Sequence, residues 1–199
     1  MLDVIAKYDN IMPYIHLPLQ SGSNKILKLM NRRYTKEEYI NLFNKIKAKI
    51  PYVSITTDII VGFPNETEED FLETLNLVKE LKYDLAYTFI FSKRESTVAY
   101  NMEDLTPLEE KKTRLARLNE VVNENAYANN LKYLNEEVEV LLEDKSDKEG
   151  YLMGYTNTMK LVNVKADLSY LGKIVKVKIT DVKTWSLDGS LVKELANVR

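Results

Sequence analysis

Two rhythms of hydrophobic and polar positions divide this 199-residue chain. From Val53 to Val61 a run rich in β-branched residues, with only Ser54, Thr56, Thr57 and Asp58 polar, reads as a strand buried on both faces. Gly62-Phe63-Pro64 closes it. Thr67-Glu68-Glu69-Asp70 then opens a helix as a capping-box variant, and Phe71, Leu75, Val78 and Leu81 follow at helical spacing. The same grammar stands on either side. Ile11 to Leu19 is a second strand candidate, with Pro13 and Pro18 confining it to an edge or to its ends. Asp84 to Phe91 is a third. Ser23 can cap a short helix carrying Ile26, Leu27 and Met30. Thr35-Lys36-Glu37-Glu38 is a full capping box opening a longer helix that Pro51 stops.

Residues 2–8 read as the tail of a helix, and Ser92 to Leu105 as a loop. Thr106-Pro107-Leu108-Glu109 joins a capping box to a proline at the first helical position. It starts a long charged helix to about Tyr133, with Leu108, Leu115, Leu118 and Val122 on one side. Three strands alternating with helices imply parallel pairing through right-handed crossovers, which is half of a sheet or barrel. In such folds ligands bind at the carboxyl ends of the strands. Asp58 lies inside the central strand, and the Gly62-Pro64 turn lies at its carboxyl end.

After Leu134 the period drops to two. Val138 to Leu142, Tyr151 to Thr156, Lys160 to Lys165, Lys173 to Asp181 and Ser190 to Glu194 are short strand candidates. Glu149-Gly150, Leu171-Gly172 and Asp188-Gly189 read as the turns between them. Five short strands in this span suggest a small OB-like barrel. Residues 136–149 carry seven acids against two lysines, whereas residues 150–199 carry eight basic groups against four acids. The expectation is a basic face, with Lys176 and Lys178 pointing outward, and the acids on another face.

Composition narrows the chemistry. Apolar content of 45% and charged content of 29% are those of a soluble globular protein. No apolar run approaches the roughly 20 residues that span a bilayer, and the start lacks a signal-peptide pattern, so the cytosol is the expected compartment. A net charge of −2 gives no overall argument for nucleic acid. There is no cysteine and one histidine, His16. Disulfides are excluded, and cysteine-ligated zinc or iron–sulfur sites cannot be built from this chain.

Six segments in order carry a resemblance: IHLPLQSGS (15–23), MNRRYT (30–35), TTDIIVGFPNET (56–67), TFIFSKR (88–94), KLVNVK (160–165) and KTWSLDG (183–189). The chain resembles the carboxyl-terminal part of the radical S-adenosylmethionine methylthiotransferases that act on tRNA, ending in a TRAM module. The resemblance implies an α/β fold: half of a radical S-adenosylmethionine partial (β/α) barrel at 1–130, then an all-β TRAM barrel that binds RNA at 131–199. TWSLDG favours the members that add a methylthio group to C2 of N6-isopentenyladenosine at tRNA position 37. The relative acting on threonylcarbamoyladenosine and a stand-alone RNA-binding module stay open as alternatives. Asn65 replaces the usual glycine of GFPGET, and Asn157-Thr158-Met159 stands where more basic residues are common.

Family members bind two 4Fe-4S clusters through cysteines that this chain lacks, so it is expected to be a fragment, inactive alone and without a cluster. The resemblance places Gln20, Ser21, Asp58, Ile60, Gly62, Phe89 and Phe91 near S-adenosylmethionine, with Arg32 meeting its carboxylate. It implies that the anticodon stem-loop of tRNA meets Lys160, Lys165, Lys176, Lys178 and Lys183. His16 reads as a packed strand residue with no metal to hold, and Trp185 as a cap on the small barrel. Binding of S-adenosylmethionine to this chain alone is expected to be weak. An open edge on the Ile11 to Leu19 strand is expected to give a homodimer.

Overall fold

The central strand forms as β2 (Ser54–Val61) and pairs in parallel on both sides, in the order β1-β2-β3. We describe residues 1–192 of a computed structural model. The chain divides into two compact units, Met1–Asn125 and Ala126–Arg199. In the first, β1 (Tyr14–His16) is far shorter than the apolar run that contains it. Pro13 and Pro18 bracket it, since neither can donate a ladder hydrogen bond. The chain continues to follow β2 nonetheless. Leu17 N donates to Thr56 O, Gln20 N to Asp58 O and Ile60 N to Gln20 O. β3 (Leu85–Ile90) completes the sheet. Asp84, just before it, accepts from Ile55 N at 3.0 Å and fixes the register.

One face of this sheet is apolar and covered. Ile15, Ile55, Ile59, Val61 and Ala86 pack against α3 (Lys36–Lys49), α4 (Glu68–Leu81) and the first unit's part of α5 (Leu108–Leu131). Both capping boxes form as their sequences dictate, at Thr35 with Glu38 and at Thr67 with Asp70. α1 (Leu2–Lys7) precedes β1, and Ser23 caps the short α2 (Asn24–Leu29). Under the sheet, Tyr83 donates to the Tyr39 oxygen at 3.1 Å, and Tyr39 donates to Leu17 O at 2.6 Å. Burial pushes the Tyr39 phenol up to about 12 and the Tyr83 phenol well above its ordinary range.

The opposite face is not the buried surface that the β-branched run suggests. The residues paired along it are His16 with Thr56, Asp58 with Tyr87 and Ile60 with Phe89. Phe89 is 51% exposed. β2 is therefore buried on both faces only in its first half.

The second unit is a closed barrel, β4-β5-β6-β8-β7, built from β4 (Glu137–Lys145), β5 (Tyr151–Thr156), β6 (Leu161–Lys165), β7 (Ile174–Val182) and β8 (Leu187–Leu191). Val140, Leu142, Leu152, Val162, Val164, Val177, Ile179 and Leu187 fill its interior. β8 lies three residues earlier than the alternation at Ser190 suggests, and residues 193–194 of that candidate lie outside the described residues. Asp188-Gly189 is not a turn. Gly189 sits inside β8 because a Cβ there would come within 2.4 Å of Val177 Cγ1 and 2.8 Å of Lys178 O. The true turn is Lys183–Ser186, closed by Lys183 N to Ser186 O. Trp185 stands on it, 53% exposed, and does not cap the core. Among the described residues no helix is long and apolar enough to cross a membrane.

Candidate functional site

At the carboxyl ends of the three parallel strands lies a cleft of about 720 Å³. Gln20, Arg32, Asp58, Ile60, Phe89 and Phe91 line it together, although they come from four separate stretches of chain. Phe63 and Arg94 join them, neither singled out by the sequence. Phe63 meets Phe91 edge to face at 4.9 Å between centroids, so the rings brace each other in the wall.

The loop that delivers Gln20 is tied to α4. Gly22 N donates to Thr74 Oγ1 at 2.8 Å, and a Cβ on Gly22 would lie 2.6 Å from Thr74 Cα. Ser21 is fully buried beneath it, in contact with Thr74 Oγ1 and accepting from Ser23 N, and its side chain does not line the cleft. Asp70 anchors the same corner. It accepts from Ser23 Oγ at 2.7 Å, Lys25 Nζ at 2.6 Å and Thr67 N at 2.9 Å. Burial works against its carboxylate, but these donors outweigh burial and lower its pKa to about 2.

Gly62 also lies behind the cleft wall. At φ +70° it takes a left-handed turn, and the aliphatic stem of Lys111 occupies the space a Cβ would need. Its amide donates to Glu66 Oε2 at 2.7 Å, and Arg114 Nη1 meets that same oxygen at 2.9 Å. Arg114 and Glu66 are 3% and 1% exposed at their side chains, a buried pair that holds the strand-end turn. Burial raises the Glu66 pKa, with the Gly62 amide and Arg114 opposing it.

Asp58 is neither buried nor isolated. Its side chain is 30% exposed, and Oδ2 lies 3.2 Å from His16 Nε2. His16 Nδ1 in turn lies 3.0 Å from Thr56 Oγ1, whose hydroxyl donates to Tyr14 at 3.1 Å. An imidazolium would donate to both neighbours at once. His16 is thus an orienting partner of the cleft carboxylate and not a packed histidine; its own side chain is 39% exposed. The spacing of residues 16 and 58 gives no hint of this, because it arises from parallel register.

The chemistry of this cleft fits an adenosyl amino acid. Phenylalanines and Ile60 offer apolar packing, Arg32 and Arg94 offer guanidiniums, and Asp58 offers a carboxylate. It does not fit an iron–sulfur cluster. The chain has no cysteine, and no three His, Asp or Glu side chains among the described residues gather as metal ligands.

The lysines expected to meet RNA divide in the second unit. Lys165 and Lys176 are exposed. Lys160 is 8% exposed, its ammonium 6.0 Å from the Tyr133 ring centroid. Lys183 Nζ is bound to Asp188 at 2.9 Å. Lys176 and Lys178 face Glu139 and Glu137 across the β4–β7 ladder. Glu137 and Glu139 of the acidic segment therefore lie beside these lysines, not on another face.

Both units resemble known proteins. Residues 1–78 match the radical SAM superfamily, and residues 131–192 match the TRAM domain. The whole chain is 53% identical over 200 residues to a tRNA-2-methylthio-N(6)-dimethylallyladenosine synthase of Bacillus cytotoxicus, covering 39% of that protein. It is 52% identical over 199 residues to the protein of the same name from Geobacillus kaustophilus, covering 38% of it. The chain thus spans about two fifths of the length of the curated relatives it matches. Coproporphyrinogen III oxidase from Escherichia coli, a radical SAM enzyme, shares the fold with a TM-score of 0.52 at 16% identity, over 90% of this chain and 44% of that one. The chain is thus similar to the radical SAM superfamily over its first 78 residues and to the TRAM domain over residues 131–192.

Proposed function

We propose that this chain is the carboxyl-terminal portion of a cytoplasmic tRNA methylthiotransferase, holding S-adenosylmethionine in the strand-end cleft and tRNA on the small barrel. The observation that carries the reading is the convergence of Gln20, Arg32, Asp58, Ile60, Phe89 and Phe91 on one cleft, in a chain 53% identical to a synthase of that kind. When bound, S-adenosylmethionine supplies the radical and the methyl group. The protein's part is to bind and orient. Ile60, Phe89 and Phe91 pack against the adenosine, and Arg32 takes the carboxylate through charge-assisted hydrogen bonds. Asp58, oriented by His16, receives a cationic group of the ligand. Glu66 and Arg114 keep the Gly62 turn in the shape that the cleft wall requires. Cluster ligands would come from the part of the longer relatives that this chain does not span.

The small barrel takes the anticodon stem-loop, which presents the adenosine to be modified. A chimera tests the whole reading. The amino-terminal portion of the Bacillus cytotoxicus relative, joined to this chain and reconstituted anaerobically, should methylthiolate isopentenylated adenosine in tRNA. Asp58→Asn in that chimera should weaken S-adenosylmethionine binding by about tenfold, the loss of one charge-assisted contact. A folded, cluster-loaded chimera that leaves tRNA unmodified would overturn the assignment. Modification of threonylcarbamoyladenosine instead would move it to the related enzyme.

A further inference from the structure

We propose that RNA meets the small barrel on the outer face of β5, β6 and β8, with Tyr151 as its packing platform, and not on the lysine strip of β7. The inference rests on the RNA-binding reading above and names the surface that serves it. Partner residues in a ladder point to the same side of the sheet. Tyr151 pairs with Lys165, Lys165 with Ser190, and Asn163 with Asp188, so these side chains share the outside of the barrel.

Two further lysines converge there. Lys148 Nζ and Lys183 Nζ both reach Asp188 Oδ2, at 2.5 and 2.9 Å, while Asn163 Nδ2 donates to Asp188 Oδ1 at 3.2 Å. Burial opposes the Asp188 carboxylate, but hydrogen bonds from Lys148, Lys183 and Asn163 prevail and lower its pKa. One carboxylate thus holds two ammonium groups in place, and with exposed Lys165 the face carries three lysines against two acids, Asp188 and its ladder partner Asp181. Lys148 Nζ also lies 5.5 Å from the Tyr151 ring centroid, which joins cation and aromatic surface at one spot. Fixed cations for phosphate beside a ring for a base or ribose are what single-stranded RNA needs. On β7, by contrast, Glu137 and Glu139 stand opposite Lys178 and Lys176 and cancel their field.

Fluorescence anisotropy of the full 199-residue chain with a labelled RNA stem-loop, at several salt concentrations, separates the two faces. Tyr151→Ala should weaken binding about tenfold with the salt slope unchanged, and Tyr151→Phe should retain affinity. Lys165→Gln should lower the slope by about 1, the loss of one phosphate contact. Lys176→Gln should leave affinity within about twofold. Circular dichroism melts confirm that each variant is folded. If Lys176→Gln costs as much as Lys165→Gln, or folded Tyr151→Ala binds like wild type, the surface is misassigned while RNA binding stands. A wild-type chain with no salt-dependent RNA binding removes the RNA reading and this surface together.

Discussion

The sheet unit and the barrel unit solve the same problem in opposite ways. In the first, helices cover one face of three parallel strands and leave the other lined by His16, Asp58, Tyr87 and Phe89. In the second, the strands close on themselves and the apolar residues go inside. An open sheet can gather ligand-binding groups on its uncovered face and at its strand ends, but it needs long-range ties to hold them. A closed barrel holds itself and has only its outside to offer.

The sharpest way to break that contrast is Arg114→Met. It leaves Glu66 buried without its cation and should cost the sheet unit about 3–5 kcal/mol. Trp185, the single tryptophan, lies on the β7–β8 turn, and its emission should report an unaltered barrel transition while helical circular dichroism falls early. A uniform loss in both signals would mean that the two units do not unfold separately. The converse lesion is Gly154→Ala. Its Cβ would lie 1.9 Å from Leu141 O, so β5 must shift, at about 3 kcal/mol. Here the Trp185 transition should move and the helical one should not.

Acid should weaken the sheet unit through Asp70. Its folded pKa of about 2 lies below the unfolded 3.8, so the stabilisation is present above pH 3.8 and is lost as pH falls through 2. The difference corresponds to about 2 kcal/mol. Asp70→Asn should flatten this acid limb in urea titrations between pH 5 and about 2; an unchanged limb would remove Asp70 from the account. The smallest effect expected is self-association. β1 is an edge strand, blunted by Pro13 and Pro18, so a weak twofold dimer should appear in sedimentation at high concentration. Monomer alone throughout would show that the prolines suffice.

Much of the fold was legible because it is written locally. Thr35 and Thr67 announce their capping boxes in four residues each, and β5 shows its alternation without interruption. Errors arose where local signs served a distant purpose. Gly189 looks like a turn residue, yet it is small because β7 crosses close to it. The cleft was half legible. The motifs point to Asp58, Gln20, Phe89 and Phe91; Phe63 and Arg94 stand in the same motifs but reach the cleft through the path of loops, and His16 reaches Asp58 only because β1 and β2 pair in this register. Charge was the least legible property. Segment counts separated acids from lysines, but pairing of β4 with β7 put Glu137 and Glu139 beside them.

The hydroxyl pair beneath the sheet gives the molecule an alkaline ultraviolet signature of its own. Tyr39 holds its proton up to about pH 12, and Tyr83 well beyond the usual phenol range, whereas unfolded tyrosine ionises near 10. The raised Tyr39 value stabilises the fold fully below pH 10, and its benefit disappears as pH climbs through 12. In an alkaline titration followed at the phenolate absorbance band, the exposed members of the 13 tyrosines should ionise first and reversibly. The two under the sheet should follow in a separate, cooperative step, because their protons leave only when the layer above them opens.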